Sequence, residues 1–341
     1  MARNPPWTVE HKARNAHYVE LQATSKTDEW RFLLSSCRHH DNPHCNQDLE
    51  RVHLEECVES GAGVIDCGDL FCAMQGKYDR RSSKADLRPE HACADDYLDS
   101  LVRTASEFYA PYARNMIVLG QGNHETAILK NHETCLTTRL VERLRASSAT
   151  TVAAGGYRGW VKFSVRFGTE RYGMLLHHFH GAGGAAPMTR GTLGIVRAAA
   201  WIPDADVLME GHTHKQWHMA YPRIRFRSDS GKPRTETDHQ YHVRCGTYKD
   251  EFGDGHNGWH VEQGRGPETI GAVWMTLRLV KTTKQRETRY QLEPSFTPTS
   301  QGVSHGPSDR DSVAGPDGGR GGGRGCGGNA RADFPSDGVD S

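Results

Sequence analysis

The 341-residue chain has no excess of charge: 42 Lys and Arg balance 42 Asp and Glu. That balance excludes a wholly basic nucleic-acid coat, although not a local basic patch. Long apolar runs are missing too, so no membrane span is expected. The opening MARNPPWTVEHKARN lacks the apolar core of a secretory signal. The nine cysteines are odd in number and irregularly spaced, so they form no disulfide framework. Without an export signal they are expected to be reduced, in a cytoplasmic protein. Apolar side chains are scarce from residue 294 onward, where Gly, Ser, Pro and Asp dominate. Burial there cannot offset the entropy of ordering, so residues 294–341 are expected to be a disordered tail. Its GGRGGGRG run is read as solvated rather than as a nucleic-acid contact.

The remainder divides into a short N-terminal extension, residues 1–29, and one domain spanning 30–293. WRFLLSS at 30–36 is a short apolar run and reads as a buried strand. QDLERVHLEECVESGAG follows with Leu49, Val52, Cys57 and Val58 near helical spacing and Gly61 as a stop. GVIDCGD at 63–69 is the next strand, and DDYLDSLVRTASEFYAPYA the next amphipathic helix. NMIVLGQGNHE at 115–125 is a third strand running into a glycine turn, and TTRLVERLRA a third helix. Alternating strands and helices imply parallel strands joined by crossovers.

The second half changes character. WVKFSVRF (160–167) and YGMLLHHFH (172–180) read as a hairpin, followed by a short helix near 190–200 and the strand ADVLMEGHTH (205–214). HMAYPRIRF, QYHVRCGTY, TIGAVWMTLRLV and TRYQLEP read as further antiparallel strands. The expected fold class is therefore α/β, one domain with a mixed second half.

Ligands of open α/β sheets bind at the carboxyl ends of the strands. Five of the expected strands stop at side chains that bind metals: Cys37 and His39, Asp69, Asn123 and His124, His178 and His180, His212 and His214. One strand-end histidine is usually an ordinary hydrogen-bonded residue; five such endings together point to a common site.

GDLF, GNHE and GHTH, in this order at strand ends, resemble the motifs of calcineurin-like metallophosphoesterases over roughly residues 30–250. HHDNPHC, GDLFCAMQGKYD and GTYKDEFGDGHNGWHVE are similar, more narrowly, to phosphoesterases of phage and prophage genomes. The resemblance implies a sandwich of two mixed β-sheets flanked by helices, holding two divalent metal ions, Mn, Zn or Fe. It implies that Cys37, His39, Asp69 and His214 hold one ion and Asp69, Asn123, His180 and His212 the other. Asp69 would bridge them, and His124, unligated, would protonate the leaving oxygen or stabilise the phosphoryl charge. Two cations about 4 Å apart can share a hydroxide of lowered pKa and neutralise phosphate oxygens during in-line attack. His180 is preferred over His178 because Gly181 follows it, as in the family's HG pattern.

Two residues depart from that pattern. Where the family usually has aspartate, this chain has Cys37, giving CRH. A bound cysteine is a thiolate, which matches the missing charge, and the softer sulfur favours Zn²⁺ or Fe²⁺ over Mn²⁺ or Mg²⁺. RNA lariat debranching enzymes are similar in carrying Cys-x-His here. Cys72 stands where many relatives place an aspartate that orients the catalytic histidine; Asp79 and Glu125 are the candidate substitutes.

Lys77, Arg80 and Arg81 form a basic loop soon after Asp69, read either as a grip on flanking phosphates or as a solvated loop. Tyr248, in a glycine-rich polar stretch with Phe252 and Trp259, is a candidate to stack on a substrate base. His40 and His44 are expected to face solvent or support the ligands, Asp41 and Asn42 to shape a turn before Pro43, and Cys57 to lie in the core. The activity implied is hydrolysis of phosphoesters, with DNA or RNA phosphodiesters favoured. The alternatives are a phosphomonoesterase, including a protein phosphatase, and a catalytically degenerate binding module of the same fold.

Overall fold

The computed structural model describes residues 3–73, 87–181, 192–229, 232–252, 258–284 and 287–299. Residues Met1–Gly302 form one compact unit; Val303–Ser341, counted apart from it, lie outside the described residues. Thirteen strands lie among the described residues: β1 (Trp7–Ala13), β2 (Ala16–Leu21), β3 (Glu29–Ser35), β4 (Gly63–Asp66), β5 (Met116–Gly120), β6 (Ala153–Gly156), β7 (Arg158–Phe167), β8 (Glu170–Phe179), β9 (Val207–Glu210), β10 (Trp217–Asp229), β11 (Lys232–Arg244), β12 (Val273–Lys284) and β13 (Glu287–Pro298). The helices are α1 (Gln47–Ser60), α2 (Pro89–Ala92), α3 (Tyr97–Tyr109), α4 (Asn123–His132), α5 (Leu136–Ser147), α6 (Thr192–Trp201) and α7 (Trp259–Glu262).

The strands make two sheets, of order β13-β12-β3-β4-β5-β6 and β1-β2-β7-β8-β9-β11-β10. Both are mixed. β3, β4, β5 and β6 run parallel while β12 and β13 pair antiparallel, and in the larger sheet β2 joins β7, β8 joins β9 and β9 joins β11 in parallel. The fold is thus α/β, two mixed sheets flanked by helices, as expected.

Side-chain alternation explains the layering. On β3, Trp30, Phe32 and Leu34 point into a core with Phe163, Leu176, Met209 and Met275, between the sheets. Leu33 points the other way, into a core with Leu54 of α1, Leu101 of α3 and Leu140 of α5. β4 is buried at all four positions because both its faces are covered.

Several expectations need correction. Residues 7–21 are integral strands, with β2 hydrogen-bonded to β7, so the domain reaches well before residue 30. At the other end β13 continues to Pro298, with Phe296 buried against Tyr241, so the domain does not end at 293. On α1 the inward residues are Leu49, Glu50, His53, Leu54 and Cys57, whereas Val52 is 53% exposed. Burying a polar side of α1 is stable because Glu50 and His53 find buried partners, described below.

A second group of histidines lies on β2 and β8, apart from the candidate ligands. Burial lowers His17 and His177 to about 4 and His178 to about 3. Neither ring nitrogen of His178 has a hydrogen-bond partner. Unfolded histidine titrates near 6.5, so below about pH 6.5 the unfolded chain binds protons that the fold refuses. Stability is therefore full above that pH and is lost as pH falls toward the folded values. For the fully buried His178 the slope approaches about 1.4 kcal/mol per pH unit. Urea unfolding from pH 7 to 4.5 should show this slope, and His178→Leu should reduce it by about one proton; an identical slope would contradict the assignment.

Candidate metal centre

The loops after β3 and β4 continue side by side beyond the strands. Cys37 N–H donates to Gly68 O (2.8 Å), His39 N–H to Asp69 O (3.0 Å) and His40 N–H to Leu70 O (2.8 Å). This ladder puts Cys37 and His39 on one side and Arg38 on the other. Arg38 is fully buried. Its guanidinium donates to Asp66 Oδ2 (2.8 Å), Glu50 Oε1 (2.5 Å) and Ser35 Oγ (2.8 Å), and its centre lies 5.2 Å from the Tyr248 ring. Buried charges persist only when paired in this way.

Tyr248 is also fully buried, with its hydroxyl bonded to His53 Nδ1 at 2.9 Å. Its expected role as a substrate contact is therefore corrected: it is a pillar beneath Arg38. His40 is buried as well, against Glu50 Oε2 (3.3 Å) and Gln47, rather than facing solvent. Lys77, Arg80, Arg81 and Asp79 lie outside the described residues.

All seven candidate ligands gather where the two sheets' strand ends meet. Cys37 Sγ, His39 and His214 offer ligand atoms within 4.8 Å of one another, and so do Cys37, Asp69 and His180. His39 Nε2 lies 3.3 Å from His214 Nε2. His180 Nε2 lies 2.9 Å from Asp69 Oδ2 and 3.2 Å from Asn123 Oδ1. The His212 ring centre is 5.3 Å from that of His180, and its backbone N–H donates to Cys37 Sγ at 3.2 Å. His39, Cys72 and His124 form another such group, and so do His40, Cys45 and Glu50, but in the latter Glu50 already holds Arg38 and Tyr109.

The backbone is strained here. Cys37 (φ 51°), His39 (47°), Asp69 (54°), His212 (69°) and His214 (59°) occupy the left-handed region. Each costs on the order of 1–2 kcal/mol, and such residues cluster where geometry serves function. The motif glycines allow the close approach. A Cβ on Gly122 would lie 1.9 Å from Asp69 Oδ1, and one on Gly68, at φ +117°, would lie 2.4 Å from the Gln121 carbonyl carbon.

The donor set fits cations. His180 Nδ1–H donates to the Cys67 carbonyl at 3.2 Å, so Nε2 turns a lone pair toward the oxygens of Asp69 and Asn123. Three acceptors converging on one point repel unless a proton or a cation lies among them. Burial opposes charging His180, but Asp69 outweighs it and raises its pKa. Burial likewise opposes ionising Asp69, yet His180, His124 and His39 together hold it well below the carboxylate range. Burial lowers His39, His212 and His214, the last to about 3, which keeps them neutral as ligands must be. Burial and Asp69 push the Cys37 thiol well up, so thiolate formation needs a cation. His39 Nδ1 and His212 Nδ1 are buried without partners.

His124 is the second residue of α4, a helix that the sequence reading did not place. Its N–H donates to Asp69 Oδ1 (3.0 Å) and its Nε2 stands 3.9 Å from Asp69 Oδ2. Nδ1–H donates to the main-chain carbonyl of Cys72 at 2.6 Å. Glu125 does not orient His124: its carboxylate accepts the N–H groups of Asp69 (3.2 Å), Phe71 (2.9 Å) and Gly122 (2.7 Å), tying the two motif loops together.

Beside His214 opens a cleft lined by Lys249, Glu251, Phe252, His260 and Ile270. Lys249 Nζ pairs with Glu251 Oε1 at 2.7 Å, and Glu251 also bonds His260, whose ring centre lies 5.3 Å from that of His214. Lys249, Glu251 and His260 were not foreseen as site residues; the polar run after GTY was their only trace.

No family model and no curated protein matches the chain. Among solved structures it is similar to a conserved uncharacterized protein, a predicted phosphoesterase, from Streptococcus pneumoniae TIGR4, with 9% identity and a TM-score of 0.29, over 79% of this chain and 99% of that one. It is also similar to GAP50, the anchor in the inner membrane complex of Plasmodium, with 9% identity and a TM-score of 0.37, over 80% and 90%. Similarity this loose carries no argument about activity, which has to come from the side chains. No helix among the described residues is long and apolar enough to cross a membrane.

Proposed function

We propose that the chain is a metal-dependent phosphoester hydrolase of the calcineurin-like kind, acting by preference on phosphodiesters of DNA or RNA. The acceptor cluster around Asp69 carries this reading: a buried carboxylate grouped with Cys37 and His180, with Asn123 on His180, while Cys37 also groups with His39 and His214. Cys37, His39, Asp69 and His214 would hold one divalent cation, and Asp69, Asn123, His180 and His212 the second. When bound, the pair supplies a water of lowered pKa and the charge that neutralises phosphoryl oxygens.

The chain's own groups do the rest. His124 keeps Nδ1–H on the Cys72 carbonyl, so Nε2 is the atom that gives a proton to the leaving oxygen. Arg80, Arg81 and Lys77 would grip the flanking phosphates of a nucleic-acid strand. A phosphomonoester is the second reading; Lys249, in the cleft beside His214, suits its additional charge.

Turnover of bis-p-nitrophenyl phosphate, p-nitrophenyl phosphate and single-stranded DNA with Mn²⁺, Zn²⁺ or Fe²⁺ tests this. Metal-dependent hydrolysis abolished by a chelator is expected, and the diester is expected to be preferred. Tight metal binding with no turnover of any ester would instead indicate a binding module. Cys37→Asp should retain turnover and shift preference toward Mn²⁺, a harder cation suited to oxygen. If Cys37→Ala matches the parent in metal content and rate, Cys37 is not a ligand.

A further inference from the structure

Among the described residues no acidic side chain is hydrogen-bonded to His124 Nδ1. Its Nδ1–H is committed to a main-chain carbonyl, that of Cys72, at 2.6 Å. A carbonyl points only where its loop holds it, and this loop carries strain: Ala73 sits at φ +46°. The restraint comes from the CRHHDN segment. Both carboxylate oxygens of Asp41 are used on this loop, Oδ1 accepting Cys72 N–H at 2.6 Å and Oδ2 accepting Ala73 N–H at 2.8 Å. Asp41 is 4% exposed, so water competes little for these bonds. The next residue assists: Asn42 donates from Nδ2 to Cys72 Sγ at 3.4 Å. Asp41 is in turn anchored by its neighbours, His40 N–H on Leu70 O (2.8 Å) and Asn42 N–H on His39 O (2.8 Å).

We propose that Asp41 is a positioning residue for His124, acting through the main chain of Cys72 and Ala73. The carboxylate grips two successive amides and thereby aims the carbonyl between them, which fixes the imidazole ring with Nε2 toward Asp69. Cys72 needs no acidic side chain for this, because its backbone does the orienting. In the hydrolysis, the His124 Nε2–H bond breaks as the P–O bond to the leaving group breaks. The P–O electron pair stays on that oxygen, the proton joins it, and His124 is left neutral. A ring turned away cannot make this transfer, and the loss falls on leaving groups that need the proton.

The kinetic part of the test rests on the hydrolase reading; the spectroscopic part does not. Asp41→Asn keeps the size but leaves one acceptor oxygen for two amides. For an aryl phosphodiester with a weakly acidic phenol, kcat should fall about 30-fold, within the range of general-acid catalysis. For the p-nitrophenyl ester, whose leaving group needs little help, the fall should stay under about threefold, with KM and metal content unchanged. Equal losses on both esters, or a loss that tracks metal content, would overturn the proposal. In ¹⁵N-edited spectra the His124 Nδ1–H should be protected from exchange in the parent and exchange freely in Asp41→Asn. A parent without turnover would sink the hydrolase reading while this spectrum still decides the role of Asp41. A folded variant with an unchanged Nδ1–H signal would show that Asp41 does not position the ring.

Discussion

Replacing Asp69 by Asn should lower kcat at least about 10³-fold and strip bound metal, while leaving the fold intact. The Asp69 carboxylate lies beside Cys37 and His180, and His180, His124 and His39 outweigh the cost of burying it and hold it well below the carboxylate range. Asn keeps an oxygen for the His124 N–H, which Asp69 now accepts at 3.0 Å, so the start of α4 stays anchored. It removes the charge on which the two proposed cations would depend, worth several kcal/mol in the transition state and hence about three decades in rate. Elemental analysis and steady-state rates on one preparation check this. A variant with full metal content and rate would mean that Asp69 bridges nothing.

His124→Ala should lower kcat by about 10²–10⁴-fold with metal content unchanged. His124 hydrogen-bonds Asp69 only through its backbone N–H and stands 3.9 Å away at Nε2, so removing the ring takes no hydrogen bond from Asp69. The deficit should shrink as the leaving group becomes more acidic, because such a group departs without a proton. Rates on a series of aryl phosphodiesters check this directly. A loss independent of the leaving group would assign His124 to stabilising the phosphoryl charge instead. These two variants would separate the parts of the proposed site: one should lose its metal, the other only its proton donor.

The sheet and the ligands were legible for the same reason. A short apolar run buried on both faces has a strong signature, and side chains at its end have few tasks other than the site. So β3, β4, β5 and β9 were visible, and the ligands with them. β1 and β2 were not, because WTVEHKA and AHYVEL mix charge with apolar residues; β1 makes sense only beside β2, and β2 only beside β7, a partner about 140 residues away. β6, four small residues, has too little side chain to leave a pattern. The start of α4 at Asn123 was hidden because Gly122 makes GNHE look like a turn, although the same glycine is required by the nearness of Asp69.

Roles carried by the backbone were the least legible. Cys72 looked like the loss of an orienting acid, since no residue code shows that a carbonyl can take that position or that Asp41 holds it there. Tyr248 looked like a stacking platform because it lies in a polar, glycine-rich stretch. Its burial depends on Arg38 being turned inward, which follows from the β3–β4 ladder and not from local composition. Lys249 and His260 became visible only once the chain brought them beside His214.

Anomalous diffraction from crystals loaded with Zn²⁺ or Mn²⁺ tests the central claim most directly. Two peaks about 3.5–4 Å apart are expected, with the Asp69 carboxylate between them, Cys37, His39 and His214 around one and Asn123, His180 and His212 around the other. A saturated crystal with no peak within bonding distance of Asp69 would contradict the account.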